Sequence, residues 1–310
     1  MTDAAGEAPC PLTPHVPLRS VEIVVNPKSG GVGAKATDDV QRIMRRFACD
    51  AHVVEAEPAQ VEKALQDALA AKPDLLVVLA GDGTARAAAS MAGPHGPLIA
   101  PLPGGTMNLL PKALYGAVDW REALENTLSE GVARPVSGGE VGGRPFYVAA
   151  VLGSPALWAP AREAVRLGKP KLAWLYAKRA ARRAFSGRVR FRLDGQELHR
   201  SEAIAFLSPL VSKALDEPVG LEAAVLNPTD AAEAFRLAAR ALFSDWRADP
   251  SVETRTVRRA RAWARTRIPA VLDGEPIQLE NDVEVRFVPV AFRALAPASA
   301  SASASAKGAA

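Results

Sequence analysis

The sequence predicts two folds in series. A parallel β-sheet covered by helices runs to about residue 135, and a mostly antiparallel β domain, a sandwich or a barrel, runs from 136 to about 297. Two observations carry this. Short apolar runs alternate with helical patterns in the first half, with short connections, as repeated βα units require. After residue 135 the texture changes to runs with period-two alternation, the mark of half-buried strands.

The first-half elements follow in order. "VEIVV" (21–25) predicts a strand, and "TDDVQRIMRRFA" (37–48) a helix with Val40, Ile43, Met44 and Phe47 on one face. "AHVVEA" predicts a second strand, and "PAQVEKALQDALAA" a helix with Val61, Leu65 and Leu69 at helical spacing. "DLLVVLA" does not alternate, so it predicts a strand buried on both faces. A helix from Thr84, a strand at "PLIAPL" and helices near 106–115 and 119–130 complete the half. In the second half "RPFYVAAVLG", "GRVRFRLDG", "EAIAFLS", "LEAAVLN", "TRTVRRARAWARTRIPAVLDGE" and "VEVRFVPVAFRAL" are strand-like, interrupted by helical patterns at "LAWLYAKRAARRAF" and "DAAEAFRLAARALFSDW". Residues 1–19 read as a flexible leader and 298–310 as a disordered Ala/Ser tail.

A chain of 310 residues can hold two ordinary cores, and 48% hydrophobic with 23% charged residues is a soluble composition. Cys10 and Cys49 form neither a disulfide framework nor a metal-ligand spacing. The opening segment lacks an apolar core, and no stretch reaches the ~20 apolar residues of a membrane helix, so a cytoplasmic protein is expected, with any membrane contact peripheral.

Three glycine-bearing turns follow first-half strands: "NPKSGG" (26–31), "GDGT" (81–84) and "PGGTMN" (103–108). Glycine lets backbone N–H groups approach a ligand, and a helix start presents such groups to anions. One such turn alone is an ordinary strand-to-helix connection. Three on adjacent parallel strands converge on one sheet edge, as a triphosphate requires. Asp82 sits between two of these glycines. A carboxylate beside phosphates requires a cation between them, which implies Mg²⁺. The alternative job for Asp82 is helix capping, which Thr84 could take over. There is no GxxxxGK[ST] and no kinase HRD or DFG set.

The series "VNPKSGG", "AGDGT" and "PLPGGTMNLLPKAL", closed by "LDGEPI", resembles the diacylglycerol kinase catalytic-domain family, which includes sphingosine and ceramide kinases. The resemblance in order and spacing spans about Val21 to Pro297, and "GDGT" is shared with NAD kinases. It implies a Rossmann-like nucleotide domain ahead of the β domain, and ATP- and Mg²⁺-dependent phosphorylation of a lipid hydroxyl. Carried over residue by residue, it implies nucleotide contacts at Asn26, Ser29, Gly30, Gly81, Asp82, Gly83 and Thr84, flanked by Ala80, Ala85 and Arg86. It adds Gly105, Thr106, Asn108 and Asp273, makes Asp82 the metal-organising carboxylate, and makes Glu275 the general base. "LDGEPI" by itself is also an ordinary hairpin turn.

Several positions depart from the family pattern. Ala80 replaces a glycine, Leu109 replaces an aspartate, and "LSPLVSKAL" lacks the acceptor-side glycines. Val219-Gly220-Leu221 stands where members carry the Asp-Gly-Leu of a second metal site, with Asp216 and Glu217 near enough to substitute. Two further readings therefore stay open: a degenerate member that binds nucleotide or lipid without turnover, and an NAD-kinase-like phosphotransferase with a soluble acceptor.

Basic residues cluster at Arg188, Arg190 and Arg192, at Arg259, Arg261, Arg265 and Arg267 around Trp263, and at Lys178, Arg179, Arg182 and Arg183. Alternation puts guanidinium groups on one strand face. Such a face is either solvated or docks on an anionic membrane, with Trp158, Trp174 and Tyr176 as candidate interfacial aromatics. No motif supports nucleic-acid binding. A homodimer stays open.

Overall fold

In the computed structural model the described residues are 12–158, 189–212, 219–226 and 252–298, with a few isolated positions between 158 and 189. They form two compact units, one comprising the chain up to Pro135 together with the segment from Phe292, the other Val136–Ala291.

The first unit is built on parallel strands β1 (Ser20–Val25), β2 (Asp50–Glu55), β3 (Leu75–Ala80) and β4 (Leu98–Pro103), in the order β2-β1-β3-β4. Every residue of β3 and β4 is buried, as their unbroken apolar runs require. Helices α1 (Ala36–Met44), α2 (Val61–Ala70), α3 (Asp82–Ala92), α4 (Leu109–Tyr115) and α5 (Trp120–Glu130) connect and cover them. The chain leaves β1 towards β2 on one side and returns to β3 on the other. The strand order therefore reverses between β1 and β3, and in sheets of this kind ligands bind at such a reversal, outside the carboxyl ends.

Three sequence expectations are corrected here. Helix α1 ends at Met44 rather than residue 48, because Arg46 O and Ala48 N bond the backbone of Leu12 instead of continuing the helix. The same bonds, with His15 N donating to Leu128 O, tie down residues 12–19, which the sequence assigns to a leader. Phe292–Pro297 belongs to the first unit: there the last strand lies parallel to β4, with Ala294 opposite Ile99, and Leu295 O accepts from Tyr115 Oη.

Asp74 pins the starts of β1 and β3 together. Its Oδ2 accepts from Arg19 N at 2.7 Å and Ser20 N at 3.1 Å. These bonds, Arg19's foremost, hold its carboxyl below the ordinary 3.8. A depressed folded value means the contribution is fully present above about 3.8 and lost as pH falls through the folded value. The stability gap between wild type and Asp74→Asn is therefore expected to close in acid denaturation series below that pH. A gap independent of pH would remove the carboxylate's charge from the account.

The second unit has two antiparallel sheets. One has six strands in the order β12-β11-β10-β7-β14-β15, where β7 is Ala149–Gly153, β10 Ala203–Leu207, β11 Leu221–Leu226, β12 Val252–Val257, β14 Ile268–Leu272 and β15 Glu275–Leu279. The other runs from β16 (Asp282–Pro297) through β13 (Arg259–Trp263) and β8 (Val189–Leu193) to β9 (His199–Ser201). β5 (Gly131–Val141) pairs with β16 and with β6 (Arg144–Phe146). Phe146, Phe191, Leu152, Ile204 and Phe206, drawn from both sheets, share one buried cluster, so the unit is a sandwich. The two helical patterns expected near 172–185 and 230–246 fall largely or wholly outside the described residues.

Candidate active site

The three glycine turns meet at the carboxyl edge of β1, β3 and β4. Asn26 N donates to Leu79 O, and Asn26 Oδ1 accepts from Lys28 N at 3.1 Å, folding the first loop over the end of β3. Gly31 N donates to Gly104 O at 3.0 Å, joining the first loop to the third. A Cβ on Gly30 would lie 3.2 Å from Thr106 Oγ1, one on Gly81 3.5 Å from Ser29 Oγ, and one on Gly105 3.0 Å from Gly81 Cα. Thus Ser29, Gly30, Gly81, Gly105 and Thr106, expected to share a site, do lie together.

Gly31 and Gly104 do packing work that the sequence reading did not assign them; the doubled glycines in both loops were the available signal. A Cβ on Gly104 would meet Val32 Cγ2 at 2.7 Å and Ala80 N and O at 2.8 Å. Backbone cannot give way as a side chain can. Gly104→Ala is expected to cost about 1–3 kcal/mol in chemical denaturation; unchanged stability would contradict this packing.

Asp82 is the junction of the second and third loops. Its Oδ2 accepts from Asn108 N at 2.8 Å and its Oδ1 from Leu109 N at 2.6 Å. The carboxylate therefore caps α4 across the site, at that helix's positive end. Asn108 holds a left-handed conformation (φ 54°) and its Oδ1 accepts from Gly105 N at 2.6 Å, closing the third loop. The expectation that Thr84 would take the capping work is corrected, since α3 carries no side-chain cap at all. The first N–H groups of α3, at Asp82, Gly83 and Thr84, have no intrahelical partner and open on the same edge, a geometry suited to anionic oxygen.

Flanking residues divide. Ala85 is buried and its N–H donates to Gly81 O, so it supports α3 from the core side. Ala80 is buried at the end of β3, paired with Pro103. Arg86 follows within the first turns of α3.

Asp273 and Glu275 lie in the second unit. Asp273 (φ 46°) and Gly274 (φ 86°) form the two-residue turn of the β14–β15 hairpin, in which Leu272 faces Glu275. The family resemblance implied a nucleotide contact at Asp273, but its carboxylate points inward. Oδ2 accepts from Tyr147 N at 2.8 Å, and Oδ1 from Val148 N at 2.8 Å and Ala149 N at 3.0 Å. It fixes the entry to β7 and holds Glu275 at the adjacent, half-buried strand start. Two further buried carboxylates escaped the sequence reading: Glu202 accepts from Ser154 Oγ and Glu222 from Ser212 Oγ. Asp216 and Glu217 lie outside the described residues.

Residues 20–141 match the family described as the diacylglycerol kinase catalytic domain. No curated protein matches the sequence. Among solved structures, a diacylglycerol kinase from Bacillus anthracis is 16% identical with a TM-score of 0.66, over 91% of this chain and 98% of that one. An NAD kinase from Archaeoglobus fulgidus in complex with ATP is 13% identical with a TM-score of 0.50, over 93% and 98%. At these identities the likeness is one of fold, an α/β sheet domain joined to an antiparallel β domain. The converging loops of residues 26–31, 81–84 and 103–108 all lie inside the segment that matches the diacylglycerol kinase catalytic domain.

Proposed function

We propose that the protein transfers the γ-phosphate of ATP to the hydroxyl of a lipid, with Mg²⁺ as cofactor. The observation that carries this reading is the meeting of three glycine loops at one sheet edge, beside the uncapped start of α3 and a carboxylate at the start of α4. The family supports a phosphotransferase; the lipid acceptor and the metal are the finer part of the proposal. The loops and α3 would hold the phosphates through backbone N–H groups. Glu275 would take the proton of the acceptor hydroxyl as it attacks in line.

The donor set fits Mg²⁺. Among the described residues no three His, Cys, Asp or Glu side chains gather as a ready-made metal site. Mg²⁺ characteristically uses one or two carboxylates, several waters and substrate phosphates. Asp82 supplies such a carboxylate, each oxygen bonded by one backbone N–H and keeping a second acceptor lobe. Bound there, Mg²⁺ would neutralise the charge of the phosphates. Calorimetry should then give saturable binding for Mg²⁺ and ATP together, weaker binding for ATP alone, and none for Mg²⁺ alone. Saturable binding of Mg²⁺ alone would point to a preformed site instead.

The deciding experiment incubates the protein with labelled ATP, Mg²⁺ and mixed micelles of diacylglycerol, monoacylglycerol or sphingoid base. A labelled lipid that disappears with Glu275→Gln supports the proposal and identifies the acceptor. Phosphorylation of NAD instead would establish a soluble acceptor. Binding of Mg²⁺ and ATP with no product would establish a non-catalytic binder.

A further inference from the structure

The outer face of the sheet that runs β16-β13-β8-β9 carries a ladder of arginines. Alternation turns Val189, Phe191, Leu193, Ala260 and Ala262 into the core, which leaves Arg190 and Arg192 on β8 and Arg259 and Arg261 on β13 facing outward. Cross-strand register sets like charges opposite one another three times: Arg190 with Arg200 on β9, Arg192 with Arg261, and Arg259 with Arg286 on β16. Like charges directly opposite on a sheet are destabilising. Arg261 is relieved by Asp282, and Arg286 by Glu140. Among the described residues Arg190, Arg192, Arg200 and Arg259 have no ion-pair partner. The sequence expectation is refined here, since Arg265 and Arg267 lie beyond the end of β13 and Arg188 and the basic helix lie outside the described residues.

Two aliphatic side chains stand at one end of this face. Leu198, in the turn before β9, is 53% exposed. Val219, whose carbonyl accepts from Arg258 Nε at the approach to β13, is 42% exposed.

We propose that this face docks on an anionic lipid bilayer, with the four unpaired arginines over the headgroups and Leu198 and Val219 entering the boundary with the acyl chains. Charge complementarity relieves a repulsion that a merely solvated face would keep. Exposed aliphatic residues gain from acyl contact and little from any other anionic partner. Nucleic acid fits less well: the face is a sheet without a groove-entering helix, and the residues at its rim are not aromatic platforms for bases. A second copy of the same face would set arginines against arginines.

The test measures vesicle partitioning of the full chain without ATP, so it stands apart from catalysis and can fail or succeed independently of the kinase reading. Phosphatidylcholine vesicles are compared with vesicles containing phosphatidylglycerol, over a salt series. Strong preference for the anionic vesicles, weakening with salt, is expected, with about fivefold loss for each of Arg190, Arg192, Arg200 and Arg259 changed to serine. Leu198→Ser should lower partitioning without altering the salt slope. The double variant Arg192→Ser/Arg259→Ser, and the salt series on wild type, keep the test informative if a variant with all four arginines changed folds poorly. Equal binding to both vesicle types, or binding that the arginine variants leave unchanged, overturns the proposal. So does tighter, arginine-dependent binding to duplex RNA or DNA, or arginine-dependent self-association with no vesicle binding.

Discussion

Replacing Asp273 with alanine is expected to cost about 3–5 kcal/mol of folding stability, read as a shift in urea midpoint at unchanged slope. The carboxylate accepts from three consecutive backbone N–H groups, of Tyr147, Val148 and Ala149, and is itself 6% exposed. Each buried donor left without an acceptor costs about 1–3 kcal/mol, and water admitted to the gap recovers part of the sum. Asparagine keeps one acceptor oxygen but turns an amide N–H₂ towards a donor, so Asp273→Asn should lose roughly half as much or more. Glu275→Gln is the contrasting substitution two residues on: it preserves size and should abolish turnover, by about 10² or more, with little change in midpoint. If Asp273→Ala were as stable as wild type, its carboxylate would not be the anchor of β7, and a direct role towards nucleotide would return.

This pair shows what the sequence discloses and what it withholds. The hairpin at Asp273-Gly274 is legible because two residues with positive φ are demanded locally. The inward turn of the carboxylate is not, because its partners lie about 125 positions away in the chain. The same distinction holds in the first unit. β3 and β4 are legible as unbroken apolar runs, and the three loops as glycines placed after strands. The contact of Gly31 with Gly104 is a tertiary fact that leaves no local pattern. Periodicity also identifies β16 as a strand without saying which sheet each end joins. Exposed and buried residues alternate from Asp282 to Arg286, whereas Ala294, Leu295 and Ala296 are all buried beyond Phe292, where the chain passes from one unit to the other.

Asp82→Asn is expected to reduce turnover by about 10²–10³-fold while costing only about 1–2 kcal/mol of stability. Two roles meet on this carboxylate, and the substitution separates them. As a cap it bonds Asn108 N and Leu109 N, and the amide oxygen of asparagine can keep one of those bonds at the start of α4. In the proposed reaction it would also supply, beside the phosphates, negative charge for Mg²⁺, which asparagine could not replace. The apparent Mg²⁺ requirement should therefore rise, and kcat should fall far more than the stability loss explains. Asp82→Ala removes both roles, and should lose the second cap bond as well as the charge. Thr84→Val provides the control on the same turn: α3 has no side-chain cap, so its effect on stability should stay within about 0.5 kcal/mol. If Asp82→Asn retained turnover and Mg²⁺ dependence while losing stability, Asp82 would be a helix cap alone. The metal would then have to be held by the phosphates and by a carboxylate outside the three loops.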